Sequence, residues 1–394
     1  MIAVDKYTEI GNTDIELIDG DRGKNYPHQN ELHQEGKCVF LSANNVTTDG
    51  FRFDNVVYIT AEKDRVLRNG KIQRGDIVIT TRGTVGNVAY YNQQIPYDDV
   101  RINSGMLIVR CHEQVKSEFL YYVLRGTEFQ QQIKQIQTGT AQPQLPKSHF
   151  IKMKIIVPSV EIQEKVAKVL RVIDERIENN KRINENLEQQ ARALYHHMFI
   201  GNTSSEWKDG TLSDIADITM GQSPSGSSYN EDGEGTIFFQ GRAEFGFRFP
   251  SIRLYTTEPK RMARANDVLM SVRAPVGDLN VAHTDCCIGR GLAAIHSKTG
   301  QQSFVLYTMF ALKEQLNVFN GEGTVFGSIN RNSLNDMPIV IPSLDSISAF
   351  EDIVAPIDAA IRNNYDEICR LIQLRDSLLP KLMSGEIDVS NLEI

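Results

Sequence analysis

Two kinds of hydrophobic spacing alternate along the chain, and each occurs twice. Short runs of β-branched and aromatic residues, punctuated by glycines and polar clusters, occupy residues 12–150. Val56–Thr60, Asp76–Thr81, Val88–Tyr91 and Met106–Arg110 read as strands there. The same texture returns in residues 201–340 with Ile237–Gln240, Val268–Val272, Leu279–Ala282 and Leu292–His296. Each stretch also contains one segment with amphipathic helical spacing, Ser117–Gln135 and Ser303–Phe319. After each mixed stretch the period lengthens. Glu161–Phe199 lacks both Gly and Pro. Within it Val166, Leu170, Ile173, Ile177, Asn180, Asn184, Leu187, Ala191, Leu194 and Met198 follow a four–three alternation. Phe350, Val354, Ile357, Ile361, Asn364, Ile368, Leu371, Arg375, Leu378 and Leu382 do the same. Two long helices follow, each about 58 Å at about 1.5 Å per residue. Pro356 fits a helix start or a kink, and Pro380 should bend or end the second helix.

The recurrence extends to residue identity. Ile155-Ile-Val-Pro158-Ser159 reappears as Ile339-Val-Ile-Pro342-Ser343, and the register then holds without a gap to Gly201 and Gly385. Twelve of these 47 aligned positions are identical, including Ile173-Asp174 with Ile357-Asp358 and Asn179-Asn180 with Asn363-Asn364. Upstream, Asp76-Ile-Val-Ile-Thr-Thr-Arg82-Gly-Thr-Val85-Gly86 matches Asp267-Val-Leu-Met-Ser-Val-Arg273-Ala-Pro-Val276-Gly277. Phe51-Arg-Phe53 matches Phe247-Arg-Phe249, and Gly139-Thr140 matches Gly323-Thr324. A period this long means a duplicated domain, not a solenoid. The expected class is α+β: mixed α/β domains at 1–157 and 201–341, a long helix at 158–200, and a second long helix with a tail at 342–394. Spacing alone leaves the direction of the helix pair open; a two-fold relation between the copies would make it antiparallel. The residues expected to pair the helices are Val166, Leu170, Ile173, Ile177, Asn180, Leu187 and Leu194 with Val354, Ile357, Ile361, Asn364, Leu371 and Leu378. Asn180 and Asn364 share one seam position, where a polar residue fixes register at some cost in stability.

Charge refines this picture. The net charge of −8 disfavours a simple basic nucleic-acid binder, but residues 12–150 are balanced and the acid collects in residues 341–394, which carry −6. Any DNA-binding surface must therefore be a local patch. Two basic windows fall at related places in the copies. Lys63, Arg65, Arg68, Lys71, Arg74 and Arg82 lie in one; Arg242, Arg248, Arg253, Lys260, Arg261, Arg264 and Arg273 lie in the other. Each faces only three acids, an excess suited to phosphate contact. Arginine forks also read guanine edges. Each block opens with a polar loop: Arg22, Lys24, Asn25 and Tyr26 in the first, Ser227, Tyr229 and Asn230 in the second. The candidate DNA-binding residues are these loop residues with Arg65, Arg68, Lys71, Arg74, Arg82, Arg242, Arg248, Arg261, Arg264 and Arg273.

Catalytic motifs are missing. There is no Pro-Pro dipeptide, hence no Asn-Pro-Pro-aromatic base pocket, and no phosphate-binding loop or HExxH helix. Gly289-Arg-Gly291-Leu-Ala-Ala294 has dinucleotide-loop spacing, but strand follows where a helix is required. Glu258-Pro-Lys260 has nuclease-like spacing without a preceding Pro-Asp. His196-His197 complements a helix C-terminus, and Cys286-Cys287 reads as strand packing. Five cysteines without CxxC spacing argue against a disulfide scaffold or zinc ribbon and fit the cytosol. No run approaches 18 apolar residues and the first residues lack a signal-peptide pattern, so no membrane segment is expected.

These features resemble one family. The duplicated architecture, the Pro-Ser lead into each helix, the tail Leu378-Leu-Pro-Lys-Leu-Met-Ser-Gly-Glu-Ile387 and the segment Thr138-Gly-Thr-Ala-Gln-Pro-Gln-Leu145 are similar to specificity subunits of type I restriction-modification systems. In the second copy Gly321-Glu-Gly-Thr-Val-Phe-Gly-Ser-Ile329 departs from the usual Gln-containing form. The resemblance implies a non-catalytic reader of double-stranded DNA in the prokaryotic cytoplasm. Each block would be a target recognition domain for one half of a bipartite, asymmetric sequence. The helices would form an antiparallel coiled coil that docks two modification subunits. No metal or cofactor would bind this chain; S-adenosylmethionine would sit on the modification subunits, which methylate adenine. Restriction subunits would add translocation and cleavage driven by ATP and Mg. The rival readings are a protein-interaction scaffold, the targeting subunit of an orphan methyltransferase without restriction, and an enzyme acting on DNA alone.

Overall fold

The structure is a computed structural model that describes residues 7–136, 144–321, 327–384 and 386–389. Gly139-Thr140, Gly323-Thr324 and Gly385, which help align the copies, lie outside the described residues. The chain forms two compact units, Met1–Asn179 with Glu367–Ile394, and Asn180–Asp366.

The first unit is built on a four-stranded antiparallel sheet in the order Glu16–Asp19, Met106–Arg110, Ile77–Thr80, Val88–Tyr90. Its central strands read as unbroken apolar runs because both faces are covered. Ile77, Ile79, Leu107 and Val109 point into a core with Phe119, Leu120, Phe129 and Ile133 of the helical segment. Val78, Met106 and Ile108 point the other way, onto Val39, Leu41, Val100 and Ile102. Burying each such side chain contributes roughly 1.5–3 kcal/mol. The second face is closed by a three-stranded sheet, Val57–Ile59, Cys38–Leu41, Val100–Ile102, whose last two strands are parallel.

The second unit repeats this plan. Its four-stranded sheet runs Ala216–Met220, Leu292–Ser297, Val268–Ser271, Leu279–Val281. Val268, Met270, Ala293 and Ile295 meet Phe304, Val305 and Tyr307 on one face. Leu269, Leu292 and Ala294 meet Phe239, Ala263 and Ile288 on the other. A second sheet of five strands contains Thr236–Phe239 parallel to Cys286–Ile288. Cys286 and Cys287 are fully buried there, and burial pushes the Cys286 thiol up to about 12, consistent with packing.

Neither predicted amphipathic helix is continuous. Gly126 adopts an extended conformation between Ser117–Arg125 and Thr127–Ile136, and a Cβ there would lie 2.7 Å from Leu379 Cδ2. In the second unit Gln302–Ala311 and Lys313–Asn317 are separated at Leu312.

The long helices are Val160–Tyr195, continued by a π-helical turn at His196–Ile200, and Leu344–Met383. The second starts six residues before its first seam residue, Phe350. Pro356 is therefore interior rather than at a start. Phe350, Val354 and Ile361, all fully buried, hold the turns on either side of the lost N–H. Pro380 falls in the last turn, and the helix ends three residues after it at Met383. In the first unit Ile173, Ile177 and Ile368 cluster with Leu371 and Leu378, while Arg176 pairs with Glu367 at 2.9 Å. Val166 and Leu170 pack into the block's core beside Leu379 and Leu382. In the second unit Leu187, Leu194, Val354, Ile357 and Ile361 share one core, and Tyr195 packs edge-on against Phe350. Asn364 donates to Asn184 Oδ1 at 2.8 Å, and Asn184 donates to the Ile361 carbonyl at 3.2 Å. Asn180 is buried.

Candidate nucleic-acid interface

In each unit the segments flagged by the sequence converge on one tight turn. In the second unit this turn is Gly289-Arg290-Gly291, between Cys286–Ile288 and Leu292–Ser297. The Gly289 N–H donates to the Phe239 carbonyl (2.8 Å) and the Gly291 N–H to that of Gln240 (3.3 Å). The opening loop joins through Gly221 N–H to Leu292 O and through Arg290 N–H to Ser223 Oγ at 3.2 Å. The end of Val268–Ser271 joins through Val272 N–H to Gly291 O at 2.9 Å. A Cβ at Gly221 would lie 2.1 Å from the Gly289 carbonyl, and one at Gly291 2.9 Å from the Gln240 carbonyl. Glycine is needed because backbones touch. The dinucleotide-like spacing thus marks a strand-to-strand turn.

The first unit has the same junction at Asn103-Ser104-Gly105. Asn103 N–H donates to Leu41 O at 2.9 Å, and Thr81 N–H to Gly105 O at 2.8 Å. Here a Cβ at Gly20 would lie 2.0 Å from the Asn103 carbonyl. By these bonds Ser104 corresponds to Arg290 and Ser42 to Gln240.

The arginine after the central strand is displayed by the same device in both units. Thr80 and Ser271, buried at the strand end, brace the following turn by donating to the carbonyls of Thr84 and Pro275. Gly86 and Gly277 close that turn with positive φ of 96° and 81°. The Arg82 backbone bridges to Gln144 and that of Arg273 to Ser328, leaving both side chains exposed.

The other candidates divide. The side chains of Lys24, Arg65, Arg68, Arg82, Arg261 and Arg273 are exposed and make no hydrogen bond or ion pair among the described residues. Arg22 is exposed but reaches Asp19 (3.2 Å) and the Ser104 carbonyl (3.4 Å), which places it at the first junction. Arg242 pairs with Asp278, and Arg264 lies 3.2 Å from His296 Nε2. Asn25 donates to the Val66 carbonyl, Tyr26 packs on Phe40, and Tyr229 donates to the Pro224 carbonyl. Asn230 closes a turn with Glu234, and Ser227 is exposed beside Ser225. These residues shape their loops.

Three basic candidates are corrected by their surroundings. Lys71 lies between Asp64 (2.9 Å) and Asp99 (3.0 Å). Arg74 is spent on the carbonyls of Asn92 and Tyr97, on Asp98 and on the Tyr91 ring. Arg248 is buried between Glu188 (3.0 Å) and Asp358 (3.1 Å), with Tyr307 Oη at 3.2 Å. Burial opposes its charge, yet Tyr307, Asp358 and Glu188 hold its pKa above the ordinary arginine value. All three are framework residues, because carboxylates, and for Arg74 also carbonyls, already occupy them. Asp358 is one of the repeated Ile-Asp pair, and its counterpart Asp174 binds Arg375 at 2.9 Å and Arg125 at 3.5 Å. In both units this aspartate ties its helix to the block's own arginine, a role the repeat flagged without explaining.

One cleft adjoins the second junction. Its volume is about 270 Å³, and it is lined by Ser223, Gln240, Arg242, Ser271, Arg273 and Arg290, with Gly241, Ala274 and Gly291. Arg290 and Gln240 escape sequence reasoning: Arg290 lies outside the basic window, and Gln240 only ends a strand. The glycines flanking Arg290 were the available signal. Among the described residues no cluster of His, Cys, Asp and Glu could hold a metal ion, and no helix is long and apolar enough to cross a membrane.

The family described as "Type I restriction modification DNA specificity domain" matches the chain twice, over residues 7–189 and 204–367. The chain belongs to that family. This specificity subunit is 30% identical over 356 residues to the "Putative type I restriction enzyme MjaX specificity subunit" of Methanocaldococcus jannaschii, covering 84% of this chain and 83% of that one. It is 21% identical to the type I restriction enzyme HindI specificity subunit of Haemophilus influenzae, covering 93% and 98%. The crystal structure of a type I restriction-modification S subunit from M. genitalium matches 97% of each chain with a TM-score of 0.54 at 16% identity, a likeness of fold. The specificity subunit is a DNA-recognition chain of a type I restriction-modification system, without catalysis of its own.

Proposed function

We propose that this specificity subunit reads a bipartite, asymmetric DNA sequence, one half with each unit. The readers fall within residues 1–157 and 201–341. The helices at 158–200 and 342–394 pair as an antiparallel coiled coil that sets the gap between half-sites and docks two modification subunits. Those subunits supply S-adenosylmethionine chemistry, and restriction subunits supply the steps needing ATP and Mg, in the prokaryotic cytoplasm. The observation that carries this reading is the duplicated junction. In each unit an opening loop, a glycine turn and an exposed strand-end arginine, Arg82 or Arg273, meet at one place. The order of helix contacts supports the antiparallel pairing: Asp174 meets Arg375 in one unit, and Tyr195 meets Phe350 in the other.

Exchanging residues 12–150 for the equivalent block of another specificity subunit tests this. The methylated motif, mapped by sequencing in cells with the matching modification subunit, should change in one half only. Alteration of both halves would show that the readers are not independent.

Arg82 and Arg273 occupy the same place in both units, so a shared partner, the phosphate backbone, suits them. Arg82→Ala and Arg273→Ala should each weaken binding across all sequences and reduce the salt slope by about 1. If binding at fixed salt falls only in step with the folded fraction, and the slope holds, the arginines are structural.

A further inference from the structure

We propose that Arg290 is a base-reading residue of the second unit and selects a guanine in its half-site; this rests on the two-reader function above. The argument starts from what the junctions share and where they differ. The strand-end arginine, the buried hydroxyl beneath it and the closing glycine recur: Arg82, Thr80 and Gly86 in the first unit, Arg273, Ser271 and Gly277 in the second. A feature kept in both copies suits the part of DNA that does not vary, the phosphates. The turn residue differs, Ser104 against Arg290, and so does the residue at the neighbouring strand end, Ser42 against Gln240. Features that differ on one scaffold suit the part of DNA that does vary, the base edges.

Arg290 also has the mechanical requirements of a reader. Its backbone is fixed by segments from three directions: its own N–H by Ser223 Oγ, Gly289 N–H by Phe239 O, and Gly291 O by Val272 N–H. Reading needs such a fixed origin, because a bidentate contact has little angular tolerance. The guanidinium is exposed and makes no hydrogen bond or ion pair among the described residues. It lines the cleft beside Arg273, whose charge is equally uncommitted, whereas Arg242 is already held by Asp278. The Gln240 side chain, on the same cleft, is exposed and likewise makes no hydrogen bond among the described residues. An arginine fork matches the O6 and N7 acceptors that guanine alone presents in the major groove. The first unit also brings an arginine to its junction, but from the opening loop, and Asp19 holds Arg22 there. The two readers therefore present different chemistry at one place in the fold.

The test uses the full chain with its modification subunit. The motif is mapped by methylome sequencing, and block exchange assigns the second half-site. Duplexes then carry each base pair of that half-site substituted in turn. Arg290→Ala should flatten the preference at one G·C pair by about ten- to a hundredfold and leave the other positions unchanged. Arg290→Lys keeps the charge but loses the fork. It should relax the same position with the salt slope intact, which separates reading from phosphate contact and from misfolding. If Arg290→Ala lowers affinity equally on every duplex, or changes no preference while the chain stays folded, the assignment is wrong. If block exchange leaves the motif unaltered, the two-reader function fails first, before Arg290 is reached.

Discussion

Arg248→Ala should destabilise the second unit by about 3–5 kcal/mol, the cost of removing one partner of a buried ion pair. The side chain is only 3% exposed, and its partners Glu188 and Asp358 are 10% and 21% exposed. Truncation leaves two carboxylates, Glu188 nearly buried and Asp358 partly so, without their shared cation, close to Tyr307, which itself donates to Asp358 at 3.0 Å. The loss should appear as a lower denaturant midpoint for that unit. Arg248→Lys should recover only part of it, because a single ammonium lacks the fork that reaches both carboxylates. DNA binding by the folded fraction should keep its salt slope. The opposite pattern, a slope reduced by about 1 with stability unchanged, is what a phosphate contact would give. It would return Arg248 to the interface where its position in the basic window first placed it.

That reversal shows which features were legible in the sequence. Strands such as Ile77–Thr80 and Val268–Ser271 and both long helices follow from hydrophobic period, because burial on one or two faces imposes that period locally. Cys38–Leu41 and Val100–Ile102 escaped: the second is three residues with an arginine at its centre, and the two pair in parallel across about sixty residues, a partnership that local spacing does not carry. Charge counting found the windows but not their commitments. Lys71, Arg74 and Arg248 meet carboxylates or carbonyls that only the fold delivers, one of them, Asp358, 110 residues from its arginine. A cue was present at Arg248, which stands between two phenylalanines and is followed by a proline. Arg290 shows the converse. Its flanking glycines were visible as a motif of the wrong family, and their true work, letting three backbones meet, needs the sheet to be seen.

The repeated Asp174 and Asp358 connect this lesson to assembly. Asp174 ties the first block to its helix through Arg125 and Asp358 ties the second through Arg248, so a block and that stretch should move together when the helix is lengthened elsewhere. One heptad inserted both between Asn179 and Asn180 and between Asp366 and Glu367 falls where the units divide, and leaves every contact described within either unit intact. Seven residues keep the seam facing inward and add roughly 10 Å at about 1.5 Å per residue. At about 3.4 Å per base pair, the gap between half-sites should grow by up to about 3 base pairs. Those base pairs also turn the duplex by about 100°, given about 10.5 base pairs per turn. The heptad does not supply that rotation, so the longer site should bind more weakly than the original bound the parent. A heptad in one helix alone should abolish methylation, since the seams can no longer match along their length. The readout is the methylated motif in cells carrying the matching modification subunit. An unchanged gap at full activity, with both lengthened helices intact, would mean that the helices do not set the distance between the half-sites.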